Sequence, residues 1–141
     1  MNTQIKIAIY WLLLGLCFLT HTLFHMYGLF YGVDVRIPGV TENEVPVLDQ
    51  VFNTVIFTVT FLLSLLSLNL SGRGFQWFSL IWSALFLLLN LVHLGSALFV
   101  EAFDLSQACL LSFVIAVNVL LTLTLWKSLK KDIRQRKGSG R

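Results

Sequence analysis

The sequence predicts an all-α integral membrane protein: an antiparallel bundle of four transmembrane helices with both termini inside. Three observations predict it. Four apolar runs have spanning length, the charges fall between and beyond those runs, and two of the three connections are very short. Of 141 residues, 57% are hydrophobic and only 12% are charged. A span needs about 20 mostly apolar residues, and runs 5–31, 49–70, 75–100 and 105–126 each reach that length. They form a single domain over residues 1–137, and Gly138-Ser139-Gly140-Arg141 has the composition of a linker.

The first run follows Lys6 and continues far beyond the 7–15 apolar residues of a signal-peptide core. His21, His25, Met26 and Tyr27 stand where a small-residue cleavage pattern would lie, so the run reads as a retained helix. The segment 32–48 is a longer outer connection with a turn signal at Ile37-Pro38-Gly39-Val40. Its Val33, Val35, Ile37, Val40, Val45 and Val47 suit a lid over the bundle's mouth, and Pro46 suits the start of the second helix. Residues 71–74 and 101–104 make tight turns, which predicts that spans two, three and four are sequential neighbours.

Charge sets the orientation. Lys6, Arg73 and the tail residues Lys127, Lys130, Lys131, Arg134, Arg136 and Lys137 lie on one side. Asp34, Glu42, Glu44, Asp49, Glu101 and Asp104, against a single Arg36, lie on the other. Lys/Arg-rich segments stay cytoplasmic, so both termini are expected inside and the acidic connections outside, in a bacterial cytoplasmic (inner) membrane. The tail's basic charge is accounted for by this anchoring, so the lipid bilayer is the expected partner and nucleic acid is not. A homo-oligomer or a larger membrane complex is compatible with the pattern. Cys17 and Cys109 lack metal or redox spacing and read as small buried residues. Tyr10, Trp11, Tyr27, Tyr31, Trp77 and Trp126 fall near the expected interfaces as an aromatic belt.

Polar and small residues recur at helical spacing in the spans, and lipid-facing surfaces should be apolar, so these stripes are expected to face inward. They comprise His21, His25, Gly28 and Gly32 in the first helix, and Asp49, Asn53, Thr60, Ser64 and Ser67 in the second. The third has Ser79, Ser83, Asn90, His93 and Ala97, and the fourth a looser set of Gln107, Ser112, Asn118 and Thr122.

All three histidines of the chain fall within these spans. Ionisable groups there are costly and are functional candidates by default. At ~1.5 Å per residue, His25 and His93 lie roughly 8 Å outward of mid-span, Asn53 near 10 Å and Ser112 near 7 Å. His21 and Asn90 sit about one turn deeper. Histidines at i and i+4, as in His21-Thr22-Leu23-Phe24-His25, can reach one ion, and His93 would supply a third imidazole.

The leading expectation is therefore a transition metal ion (Zn, Cu or Fe) on His21, His25 and His93, in a redox, metal-handling or metal-assisted catalytic role. Asn53 and Asn90 would orient the imidazoles, and Asp49, Glu101 and Asp104 would attract cations or complete the shell. The alternatives are a haem b or quinone electron-transfer protein and a metal-free histidine acid–base enzyme on a lipid-like substrate. A proton-coupled carrier, or an accessory subunit whose histidines only bond between helices, completes the set. Phe18, Phe24, Phe57, Trp82 and Phe86 could wall a cofactor or simply fill the core.

Overall fold

The computed structural model describes residues 2–32, 46–99 and 104–139, and all their side chains except those of His25, Asp49 and residues 134–139. The described residues are all-helical: α1 (Thr3–Tyr27), α2 (Val47–Asn69), α3 (Arg73–Phe99) and α4 (Leu105–Ser139), with a 3-10 turn at Gly28–Tyr31 after α1. Four helices are long and apolar enough to cross a membrane. The expected lid lies outside the described residues.

Each helix begins where local chemistry releases the backbone from other partners. Asn2 accepts from the Gln4 N–H at the start of α1, and Pro46 precedes α2 as expected. Asp104 Oδ1 accepts the N–H groups of Ser106 (2.8 Å) and Gln107 (3.4 Å), so this carboxylate caps α4. The basic end of α4 remains helical to Ser139, past the expected end of the span and into the linker-like residues.

The registers establish the topology. Ser64 of α2 meets Ala8 of α1, and Phe57 meets Phe18, so these helices are antiparallel. Trp11 pairs with Ser79 and His21 with His93, so α1 and α3 are parallel. Both chain termini therefore lie at one end of the bundle (the terminal end), and the α1–α2 and α3–α4 connections lie at the other.

The packing order corrects one expectation. α1 packs closely against α2 and α4, and α4 against α3, whereas the α2 and α3 backbones do not approach closely along each other despite the short connection between them. A tight turn makes two helices antiparallel; it does not supply side chains that hold their faces together.

The terminal half is joined by hydrogen bonds between helices. Ser64 Oγ donates to the Ala8 carbonyl (2.9 Å), and the fully buried Trp11 donates from Nε1 to Ser79 Oγ (3.1 Å). Trp11 is thus a core residue and not a member of an aromatic belt. Between α3 and α4, Asn118 places its amide across one turn of α3. Its Nδ2 donates to the Ser83 carbonyl (3.2 Å) and Oγ (2.9 Å), and its Oδ1 accepts from the Leu87 N–H (2.9 Å). Ser83 then donates to Thr122 Oγ1 (2.7 Å), which donates to the Asn118 carbonyl (2.9 Å). Every hydroxyl in this cycle has one direction that satisfies its neighbours.

The close-contact glycine is Gly15, where a Cβ would stand 2.7 Å from the Phe61 ring of α2. The expected Gly28/Gly32 packing stripe does not form. α1 ends at Tyr27, and Gly32 adopts φ +72° to terminate the turn, a conformation that favours glycine.

Two outcomes are expected in detergent unfolding. Gly15→Ala costs about 1–3 kcal/mol by overpacking; in a Phe61→Ala background the same change becomes neutral or stabilising by up to about 1 kcal/mol through helix propensity. Asn118→Leu leaves the Ser83 and Leu87 groups to re-pair within α3 and lowers stability by about 0.6–1.7 kcal/mol, the range for such bonds inside membranes.

Candidate functional site

At the end away from the termini, the four helices surround a cavity of about 750 Å³. Its deep wall is buried Leu14, Cys17, Ile56, Phe86, Leu111 and Val114, while Met26, Phe52 and Leu89 are about half exposed at its margin. The polar lining is sparse: His21 and Thr22 from α1, Asn53 from α2, and Asn90 and His93 from α3.

His21 and His93 meet directly. Their ring centroids are 4.8 Å apart and the planes cross at 80°, an edge-to-face contact between α1 and α3. The same two helices meet nearer the termini through the Trp11–Ser79 bond. The two helices run parallel, so both imidazoles arrive at the cavity together. Both are half-buried and line the cavity.

The remaining expected site residues divide. Asn53 lines the cavity from α2. Asn90 also lines it, with its Nδ2 donating 2.7 Å to the Phe86 carbonyl of its own helix. Ser112 is exposed and donates to the Ala108 carbonyl (2.7 Å), so it points away from the cavity. Asp104 is engaged as the α4 cap. The side chains of His25 and Asp49, and all of Glu101, lie outside what is described. Among the described residues, no group of three His, Cys, Asp or Glu side chains is placed to hold a metal ion.

Cys17 was not anticipated at the cavity, although it stands four residues before His21 on the same stripe. It is a free thiol, as is exposed Cys109. Of the aromatics, Phe18 and Phe86 line the cavity, whereas Phe57 rests on Phe18 and Phe61. Trp82 stacks on Phe78.

The size and lining restrict what can fill this space. Water is a poor filler, because each buried molecule wants two to four polar partners and the lining offers few. Ligand sites span roughly 300–1,000 Å³ and pair mainly apolar walls with a few convergent polar groups. Comparison with known protein families, with curated proteins and with solved structures finds no match for this chain.

Proposed function

We propose that the protein binds an organic ligand inside a membrane through the His21–His93 pair, which exchanges protons with the ligand's polar head. One observation carries the reading: two imidazoles in contact open onto an otherwise apolar cavity of ligand size. An imidazole with one nitrogen protonated can accept a proton at one ring nitrogen and give one from the other. The reaction class is acid–base chemistry on a hydrogen-bonding head, with Asn53 available as a further donor or acceptor. The surroundings are a bacterial cytoplasmic membrane, with both termini inside; Lys6, Arg73, Lys127, Lys130 and Lys131 gather at the terminal end in support of that orientation.

A second reading is a transition metal ion on His21 and His93, with His25 as third ligand. The 4.8 Å ring separation favours it, since two imidazoles at that spacing can turn their nitrogens to one ion at about 2.0–2.1 Å. Against it, an ion and its waters, at ~30 Å³ each, would use a small part of the cavity. Haem b between His21 and His93 is the weakest fit, because rings in direct contact leave no room for a porphyrin plane.

The test compares detergent-purified wild type with a His21→Ala/His93→Ala variant that melts at a similar temperature. Solvent extraction with mass spectrometry and elemental analysis are run on the same samples. The expected result is a near-stoichiometric organic molecule in the wild type that is lost from the variant, with no matching metal. A transition metal lost from the variant instead would establish the second reading. Equal retention of the organic molecule by both proteins, or absence of both ligand types, overturns the histidine site.

A further inference from the structure

The cavity is closed on three sides of the bundle and open on the fourth. Close backbone packing joins α1 to α2, α1 to α4 and α4 to α3, while the α2 and α3 backbones stand farther apart. Residues 70–72 tie α2 to α3 at the terminal end, so the gap between them lies toward the cavity. The lining matches this asymmetry. Its floor, Leu14, Leu111 and Val114, belongs to the packed α1–α4 pair and is almost fully buried. Phe52 of α2 and Leu89 of α3 are 52% and 46% exposed, respectively, and both line the cavity.

The outward faces beside them are apolar. Val51 and Val55 on α2, and Leu85, Leu88 and Val92 on α3, are exposed. A bundle with these faces in a bilayer opens its gap onto hydrocarbon. At the cavity His21 on α1 meets His93 on α3, one turn beyond Leu89.

We infer that the ligand is a membrane amphiphile which passes sideways between α2 and α3 from the surrounding leaflet. Its hydrogen-bonding head rests on His21 and His93, and its alkyl or prenyl chain leaves through the gap past Phe52 and Leu89. This deepens the proposed function and rests on its ligand-binding reading. It adds the route and the chemical class: a molecule dissolved in the bilayer, as opposed to a solute taken from water. A chain solves the packing problem that a compact solute does not, because it replaces contacts missing between α2 and α3 with contacts of its own.

The experiment uses the full chain in phospholipid vesicles and a long-chain alcohol bearing a diazirine midway along its chain. A short, water-soluble diazirine alcohol serves as the aqueous probe. After irradiation, cross-links are mapped by mass spectrometry. The long probe is expected to label Phe52, Ile56, Phe86 and Leu89 above the lipid-facing Leu120 and Leu123, and excess unlabelled alcohol should compete. Leu89→Trp, which fills the opening, should reduce labelling of Ile56 and Phe86 roughly tenfold. Leu120→Trp, on the exposed face of α4, should leave it unchanged.

Labelling of the cavity by the short probe alone, or long-probe labelling no stronger than at Leu120 and Leu123, overturns the lateral route. So does an unchanged pattern in a folded Leu89→Trp protein. The His21→Ala/His93→Ala variant separates the two ideas. Chain labelling that persists while the copurified ligand is lost supports both, and a ligand retained without the histidines removes the head-group site but leaves the lateral route standing.

Discussion

Polar pairing between helices is the constraint on which the rest of this structure depends. In hydrocarbon, apolar faces gain little by meeting one another in place of lipid, so association relies on close packing and on interhelical hydrogen bonds. Here the identified bonds of that kind gather in the terminal half: Ser64 to Ala8, Trp11 to Ser79, and the Ser83–Asn118–Thr122 cycle. Toward the cavity, Thr20, Thr22, Asn90 and Ser112 instead bond to carbonyls of their own helices. A hydroxyl that donates within its own helix has no hydrogen left for another helix, although it can still accept across, as Thr122 does from Ser83. The bundle is accordingly fastened at one end and open at the other.

The open end acquires its chemistry from the same division. α1 and α3 are carried side by side by the fastened half and deliver His21 and His93 to one point. Because α2 and α3 do not close over them, the imidazoles face a space lined by Phe52, Ile56, Phe86 and Leu89. On the proposed reading, half-buried imidazoles that line the cavity are held by the fold and within reach of a ligand. The wall supplies few competing polar groups, so a hydrogen-bonding head has little reason to settle elsewhere in the cavity.

Much of this was legible residue by residue, and the failures have specific causes. Depth counted from the rise per residue set His93 level with His25 and His21 one turn deeper, whereas the structure brings His21 into contact with His93. Depth said nothing of angle, and Ser112 therefore counted toward the site although its side chain points outward. Trp11 resembled an interfacial residue because it is aromatic and near a span's end, yet its partner Ser79 lies 68 positions away. Gly28 and Gly32 have helical spacing but lie in and just beyond a 3-10 turn, while the glycine in close contact, Gly15, has no partner glycine to advertise it. Asp104 carried a charge suited to a mouth and is used to cap α4.

The sequence by itself determined the four apolar helices and the helical spacing of their polar stripes. These are one-dimensional properties, set by run length and periodicity. The tertiary structure alone decided that α1 packs on α4, that α2 and α3 stay apart, and that the histidines open onto a cavity. Apolar side chains suited to lipid are equally suited to a neighbouring helix, so hydropathy cannot say which faces meet. That choice is made by complementary pairs such as Gly15 with Phe61 and Asn118 with Ser83, whose members become partners only when the helices stand side by side.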